Sequence, residues 1–270
     1  MKLSKYDFIL DEMRFSYSSV TNFITCPHQF FLTYIQCENR GKNWYSDFGL
    51  LMHETLEKYF KDELDIMELS KYYQDNYSKV VTSEPPPFPK GIADRYYEDG
   101  IVFFDNFDFD KDNYEILNIE DKVETTYNNI NLVLKPDLVL KEKKTGDVIL
   151  YDYKTSNPIK SGKWDKKKLE EYHRQMYLYA YFINHTTDIK INKIKLWFVR
   201  INKFDEFDYV EKDAEDVVDW LFFKVLDIQF AEEFPPCDIE KNKFFCSQLC
   251  SMRSFCKYYD QFMTNGQTNP

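Results

Sequence analysis

The stretch that decides the fold is LVLKPDLVLKEKKTGDVILYDYKTS, residues 132–156. It consists of two apolar runs, rich in β-branched residues, on either side of a short polar connection that contains Gly146. Alternation and β-branched content predict two strands, and a glycine in so short a connection predicts that they form a hairpin. Helical patterns precede and follow this hairpin, so the sequence predicts an α/β fold.

Two carboxylates fall on the predicted hairpin, Asp137 and Asp152. Closing the hairpin brings them towards each other at one end of a sheet. Lys154 points to the same face as Asp152, because side chains alternate along a strand. Two hard oxygen ligands beside an ammonium group are suited to hold a divalent cation and to polarise a water against a phosphate. The pattern predicts phosphodiester hydrolysis.

Composition limits the class of protein. The chain has 270 residues, of which 43% are hydrophobic and 18% aromatic, enough for one large domain or one domain with an appended subdomain. Seven glycines and no internal repeat predict a compact globular protein. The net charge of -11 argues against non-specific coating of nucleic acid. It does not exclude a nuclease whose carboxylates are neutralised by metal.

The first residues, MKLSKYDFILDEMRF, lack the sustained apolar region of a signal peptide. No run approaches the length needed to cross a membrane. We therefore expect a cytoplasmic protein without membrane association. In that compartment the six cysteines are expected to be thiols or metal ligands rather than disulfides.

Local patterns predict the order of elements. Ser16 or Ser18 is the expected N-cap of a first helix, and Pro27 is expected to kink or break it. The segment SEPPPFPKG, residues 83–91, is predicted to be a surface connection. The predicted helices are 16–35, one starting near 48, then 64–81, 92–107, 164–184 and 212–233, and strands are predicted from 114 and over 189–201.

Two further motifs accompany the PD…DxK pattern of the hairpin. The segment GLLMHETLE at 49–57 has the form GxxxHxxxE, and QMYLY at 175–179 has the form QxxxY. Together and in this order they resemble the RecB-like branch of the PD-(D/E)XK nuclease superfamily. The resemblance implies a restriction-endonuclease-like fold, in which a mixed sheet is flanked by helices.

The resemblance also implies a divalent metal site. Its ligands would be His53, Asp137, Asp152 and the backbone carbonyl of Tyr153, and the ion would be Mn²⁺ or Mg²⁺. An imidazole ligand tilts the preference towards manganese. The alternative for His53 is an ordinary half-buried helix histidine.

Catalytic roles are implied for Lys154, Gln175 and Tyr179. Lys154 would stabilise developing negative charge on the phosphate or position the attacking hydroxide. Gln175 and Tyr179 are neighbours on one helical face and would orient the lysine or contact the DNA strand. Tyr179 is equally compatible with a core position. Glu57 and Glu124 are weaker candidates for extending the acidic cluster.

The segment KTSNPIKSGKWDKKK, residues 154–168, carries six lysines against one aspartate. It is expected to be either a phosphate track beside the active site or a solvated loop and helix face. Trp164 and Tyr172 are candidates for stacking on unpaired bases.

Three cysteines near the end of the chain, Cys246, Cys250 and Cys256, form a C-x3-C-x5-C array, and Cys26 lies far upstream. Four thiolates satisfy an iron–sulfur cluster. This arrangement resembles RecB-like nucleases with an iron staple, including the AddB-type and CRISPR-associated exonucleases. The resemblance implies a 4Fe-4S cluster that joins helical segments from both ends of the chain.

The spacing departs from that family, which usually has C-x2-C where this chain has C-x3-C. Structural Zn²⁺, which also accepts four thiolates, and buried cysteines without metal are therefore alternatives. Cys37 and Cys237 are expected to be spare, structural cysteines.

The combined expectation is a metal-dependent DNA nuclease, acting as an exonuclease on single-stranded ends in recombination, repair or CRISPR-type or phage DNA processing. A helicase or recombination partner is expected, in a bacterial or phage-infected cell. Residues 1–270 are expected to form one domain, with a nuclease core at about 44–233 and an iron–sulfur staple from 16–37 and 234–260. The alternative is a non-catalytic DNA-binding or scaffolding subunit of a helicase–nuclease complex.

Overall fold

A computed structural model describes residues 5–39 and 41–266, and the chain divides into two compact units. The terminal unit combines the residues up to Tyr45 with Thr126–Leu132 and the residues from Trp220 onwards. The central unit comprises Ser46–Thr125 and Val133–Asp219.

Helices make up much of both units. Within the described residues the α-helices are α1 Asp7–Glu12, α2 Tyr17–Thr25, α3 Pro27–Phe30, α4 Trp44–Phe60, α5 Leu69–Val80, α6 Ile92–Asp105, α7 Lys166–Thr186, α8 Glu211–Gln229 and α9 Lys257–Gly266. Shorter 3-10 turns are Ile66–Glu68, Lys111–Asn113, Val199–Ile201 and Arg253–Phe255, and π-helical turns are Phe31–Ile35 and Phe245–Leu249.

The strands form one five-stranded sheet and two small hairpins. They are β1 Tyr114–Ile119, β2 Val123–Tyr127, β3 Ile130–Leu134, β4 Leu138–Glu142, β5 Val148–Lys154, β6 Ile159–Lys160, β7 Lys163–Trp164, β8 Lys193–Phe198 and β9 Lys203–Asp208. The main sheet has the order β1-β4-β5-β8-β9, while β2 pairs with β3 and β6 with β7.

The predicted hairpin is present as β4 and β5, which pair antiparallel from Leu138 opposite Tyr151 to Lys141 opposite Val148. Gly146 in the connection has φ +79°, a conformation that glycine adopts without steric cost. β5 pairs with β8 in parallel, which requires a long crossover, and α7 lies in that connection. The expected mixed sheet flanked by helices is confirmed.

The side chains of β5 point alternately to the apolar core and to the polar residues of the motif. Ile149, Tyr151 and Tyr153 on β5 belong to a buried apolar cluster with side chains of α4, α5 and α6. Asp152 and Lys154 alternate with them and meet Gln175 of α7 on the opposite face. Both faces of β5 are buried, and alternation along the strand places Asp152 and Lys154 opposite the aromatic side chains.

In the terminal unit, Ser16 caps α2 in a capping box with Ser19, as the sequence predicted. Pro27 ends this helix and takes the first position of α3, so the expected break is also confirmed. Phe15 forms a parallel bridge with Leu132 in the same unit.

Other predicted boundaries shift. The strand expected over 189–201 covers Lys193–Phe198 and continues into a 3-10 turn, and β9 and the β6–β7 hairpin were not predicted. Among the described residues, every helix is too short or too polar to pass through a bilayer.

Candidate active site

The two motif carboxylates lie side by side at the end of the hairpin. Asp137 immediately precedes β4, and Asp152 lies near the end of β5. The backbone N–H of Tyr153 donates to Asp137 Oδ2 at 2.7 Å. Both aspartates are buried, with exposed fractions of 8% and 4%. Two buried carboxylates this close require positive charge nearby.

His53 reaches this pair from α4. Its Nε2 donates to the backbone carbonyl of Tyr153 at 3.0 Å. Its Nδ1 lies 3.5 Å from Asp137 Oδ1 and 3.6 Å from Glu120 Oε1. Gly49, one turn earlier, brings α4 close to Thr155, since a Cβ at Gly49 would lie 3.6 Å from Thr155 Oγ1. The GxxxH segment therefore delivers an imidazole to the predicted metal-binding residues.

Glu120, which lies outside all of the sequence motifs, completes the group. One ligand atom each from His53, Glu120 and Asp137 lies within 4.8 Å of the others. Glu120 follows β1 with φ +55°, and its N–H donates to the Asp137 carbonyl at 3.1 Å. Left-handed backbone costs a non-glycine residue about 1–2 kcal/mol, and such strain is concentrated at functional sites.

Glu57 and Glu124, the two weaker candidates, do not join this group. Glu57 forms an ion pair at 2.6 Å with Lys61, which directly follows α4. Glu124 is exposed on β2. Glu120 comes close to Asp137 because β1 pairs with β4, with Ile119 opposite Leu138. The order of strands in the sheet, which the sequence does not reveal, was the missing information.

Lys154 is held by Asp152 and Gln175. Its Nζ lies 2.6 Å from Asp152 Oδ2 and donates to Gln175 Oε1 at 3.0 Å. Gln175 Nε2 in turn lies 3.4 Å from Asp152 Oδ1. The ammonium group also makes a cation–π contact with the Tyr172 ring, with Nζ 4.8 Å from the ring centroid. The lysine of the DxK motif is thus fixed by three side chains.

Tyr179, the last residue of the QxxxY motif, is buried with an exposed fraction of 7%. Burial raises the pKa of its hydroxyl, which also hydrogen-bonds to Gln175. Tyr179 is therefore both a core residue and a support for Gln175, so the two interpretations of this residue are compatible.

Electrostatics link these groups. Burial lowers the pKa of His53, but the carboxylates of Asp137, Glu120 and Asp152 outweigh it and raise the pKa to about 10. Burial raises the pKa of Asp152 to about 6, against the opposing effect of Lys154. Burial also disfavours charge on Asp137 and Lys154, yet cationic neighbours lower the pKa of Asp137 and anionic neighbours raise that of Lys154. An imidazole that is cationic among carboxylates marks a place with strong affinity for positive charge.

The basic run after β5 forms the β6–β7 hairpin and the start of α7. Lys163, Lys166 and Lys167 are exposed. Of the two aromatic candidates for stacking, Trp164 packs on Phe198 with ring centroids 5.4 Å apart, and Tyr172 lies beside Lys154. Both aromatic rings are half-buried.

A second group of candidate ligands lies in the terminal unit. The four predicted thiols, Cys26, Cys246, Cys250 and Cys256, line one cavity. Cys237 lines the same cavity, whereas Cys37 is exposed. Burial raises the pKa of Cys250 to about 12, and the neighbouring sulfurs add to that shift. A set of thiols that suppress each other's ionisation fits a cation, which would stabilise the thiolates together.

The unusual C-x3-C spacing has a local structural basis. Cys246 lies in the π-helical turn Phe245–Leu249, and the Cys250 N–H donates to the Phe245 carbonyl five residues back at 2.8 Å. A π-helical turn holds one residue more than an α-helical turn. The additional residue is therefore accommodated within the turn, and both cysteines face the same cavity.

The sequence profile of the PD-(D/E)XK nuclease superfamily matches residues 14–257. The chain belongs to this superfamily. The protein is accordingly a nuclease, a hydrolase of phosphodiester bonds, and the superfamily assignment made from the sequence is confirmed. PD-(D/E)XK nucleases use divalent metal ions, and the His53–Glu120–Asp137 group offers imidazole and carboxylate donors for one.

A solved structure has the same fold. It is a protein of Eubacterium rectale named as a candidate exonuclease, with a TM-score of 0.54 at 13% identity, and the match covers 95% of this chain and 94% of the other. A second solved structure, of the protein SSO0001, has a TM-score of 0.39 at 15% identity over 92% of this chain and 87% of the other. The search of curated proteins found no match.

Proposed function

We propose that this PD-(D/E)XK nuclease is a metal-dependent deoxyribonuclease that degrades DNA from single-stranded ends. The observation that carries the proposal is the position of Asp137, Asp152 and Lys154 around the end of β5, with His53 and Glu120 beside them. A scaffold that had lost cleavage would not need a half-buried lysine held by two polar side chains.

The donor set fits a divalent cation. His53, Glu120, Asp137, Asp152 and the carbonyl oxygen of Tyr153 would hold Mn²⁺ or Mg²⁺, and the imidazole favours manganese. When bound, the ion would polarise the phosphate and lower the pKa of an attacking water. His53 Nε2 donates to the Tyr153 carbonyl at 3.0 Å, so this hydrogen bond would be lost if both atoms bound the ion. Nδ1 already lies near the carboxylates of Glu120 and Asp137 and could bind the ion instead.

The remaining groups act on charge and position. Lys154 supplies a positive charge for the negative charge that develops on the phosphate oxygens. Gln175 keeps the lysine side chain extended between itself and Asp152, and Tyr179 holds Gln175. Hydrolysis would leave a 3′-hydroxyl and a 5′-phosphate.

A DNA substrate is supported by the basic run of residues 154–168, which begins at the catalytic lysine. Its exposed lysines, Lys163, Lys166 and Lys167, lie on the β6–β7 hairpin and the first turn of α7. A local basic surface next to an acidic site, on a chain of net charge -11, would guide a phosphate backbone to one place. We extend this proposal to a preference for single-stranded ends and to a role in recombination, repair or CRISPR-type DNA processing. In that role the nuclease would act in the cytoplasm with a helicase or recombination partner.

We also propose a 4Fe-4S cluster in the terminal unit, ligated by four cavity thiols. These four thiols line one cavity, and four thiolates satisfy such a cluster. Structural Zn²⁺, which also accepts four thiolates, is the alternative.

The cluster would link Cys26 with the segment from Cys246 to Cys256, and so stabilise the folded chain by restricting the unfolded one. The superfamily match spans residues of both units, which supports one nuclease domain over residues 1–270. In that proposal the core is about 44–233, and the staple comes from 16–37 and 234–260.

The test is a cleavage assay with anaerobically purified protein on end-labelled single- and double-stranded DNA, with manganese, magnesium or EDTA. We expect manganese-dependent degradation by the wild type, a product ladder that gives the polarity, and loss of activity in Asp152→Ala. Lys61→Ala, at an exposed ion pair just after the end of α4, is the control expected to keep activity. Absence of cleavage from folded, metal-supplied protein would contradict the proposal and favour a binding or scaffolding role.

A further inference from the structure

Cys237, expected to be a spare cysteine, lies among the four proposed cluster ligands. Its backbone N–H donates to Cys26 Sγ at 3.4 Å. Its own Sγ lies 3.7 Å from Cys246 Sγ, and it lines the same cavity as Cys250 and Cys256. Five thiols therefore surround a cavity at which a 4Fe-4S cluster takes four.

The contact between Cys237 and Cys246 shows where the surplus lies, because their Sγ atoms are 3.7 Å apart. Each iron of a 4Fe-4S cluster accepts one cysteine thiolate, so two thiols in contact would compete for one iron. Cys26, by contrast, accepts a hydrogen bond from the Cys237 backbone, which persists whichever side chain residue 237 carries.

We propose that Cys237 and Cys246 are alternative ligands to one iron of the cluster, while Cys26, Cys250 and Cys256 hold the other three. This inference rests on the proposed cluster. Exchange is redox-neutral, because the incoming thiol releases a proton to bind iron and the departing thiolate takes one up. The consequence is that either cysteine of the pair is sufficient for a complete set of four.

Cys237 and Cys246 reach the cavity from two different local structures. Cys246 lies in the π-helical turn Phe245–Leu249, where the additional residue of the C-x3-C spacing is accommodated. Cys237 follows Pro235 and Pro236, and the Pro235 carbonyl accepts from the His28 N–H at 3.0 Å, which holds this segment against α3. Cys237 is thus fixed from the side of Cys26, independently of the turn that carries Cys246.

The first experiment measures iron, acid-labile sulfide and the visible absorption spectrum of full-length protein purified anaerobically. The variants are Cys237→Ser, Cys246→Ser and the double variant, with Cys37→Ser as the control at an exposed thiol. We expect both single variants to keep about four irons per chain, with altered electron paramagnetic resonance of the reduced cluster. The double variant should lose the cluster, as should Cys250→Ser.

The outcomes separate the two proposals. If Cys246→Ser loses as much iron as the double variant while the wild type is fully loaded, the alternative-ligand proposal is wrong and the cluster proposal stands. If the wild type carries no iron, both are wrong. Thermal unfolding of each variant distinguishes loss of ligand from loss of fold.

A second measurement needs no substitution at the buried Cys246. Cluster-loaded wild type is treated with iodoacetamide, and the modified cysteines are identified by mass spectrometry. We expect Cys37 and one cavity thiol to react, with the second label found at Cys237 in some chains and at Cys246 in others. Labelling of Cys237 alone would overturn the proposal.

Discussion

Glu120 allows the chemistry of a side chain and the conformation of its backbone to be tested separately. Its carboxylate lies 3.6 Å from His53 Nδ1, and its φ of +55° is left-handed. Glu120→Ala removes the carboxylate but keeps a Cβ in this conformation, whereas Glu120→Gly removes both. Because the chemical loss is the same, the two variants should have the same activity and different stability.

The size of the stability difference follows from the backbone. A Cβ at this φ costs about 1–2 kcal/mol, while the greater freedom of glycine in the unfolded chain costs about 0.4–1 kcal/mol. The Gly variant should therefore be more stable than the Ala variant by about 0.5–1 kcal/mol. For a chain of this size, that corresponds to a melting temperature about 2 °C higher. Activity at limiting Mn²⁺ should fall about 10- to 100-fold in both, the usual cost of a lost group around a metal.

The assays are thermal unfolding by circular dichroism and cleavage of end-labelled DNA over a manganese titration. Glu115→Ala, at an exposed position on β1, is the matched control and should change neither quantity. A melting temperature of the Ala variant equal to or above that of the Gly variant would refute the strain argument. Full activity of both variants would remove Glu120 from the site.

Three further predictions concern groups around β5 and α6. Lys154→Met should lower kcat about 10²- to 10³-fold with little change in KM, because the lysine acts on charge that develops during the reaction. A kcat within tenfold of that of the wild type would contradict this prediction. Tyr172→Leu should lower kcat about fivefold, because it removes a cation–π contact worth about 1 kcal/mol, whereas Tyr172→Phe should keep that contact and the wild-type kcat. An equal loss of kcat in both variants would show that the ring face is unimportant. Gly100→Ala should lower the melting temperature by about 4 °C, because the new Cβ would lie 2.3 Å from the buried ring of Tyr73. Overpacking costs about 2–3 kcal/mol, which exceeds the gain of about 1 kcal/mol in helix propensity. An unchanged melting temperature would refute this prediction.

Features that depend on nearby residues could be predicted from the sequence. The β4–β5 hairpin follows from alternation and Gly146, and the break at Pro27 follows from its missing N–H. The positions of Asp152 and Lys154 on one face follow from the strand period alone. These local rules place Asp137, Asp152 and Lys154 on the hairpin, whereas His53, Gln175 and Tyr179 were assigned from the resemblance to the family.

Features that depend on distant pairing could not be predicted. Glu120 joins the site because β1 pairs with β4, and the sequence between them contains a separate hairpin that conceals this neighbour. Cys237 meets Cys26 because the segment after α8 returns to α3, a contact across more than two hundred residues. In both cases the local pattern around the residue resembles that of many surface positions, and the tertiary contact alone distinguishes it.

The position of Tyr153 has a consequence for mutational scanning. Its ring is buried at 3% exposure, and its hydroxyl has no hydrogen-bond partner within the described residues, so Tyr153→Phe should fold normally. Its peptide N–H and carbonyl, however, contact Asp137 and His53. A scan of side chains would therefore assign residue 153 to stability and overlook its place in the site. An amide-to-ester replacement at this residue deletes the N–H and leaves the ring. It would reveal a catalytic contribution that no encoded amino acid removes without also removing the ring.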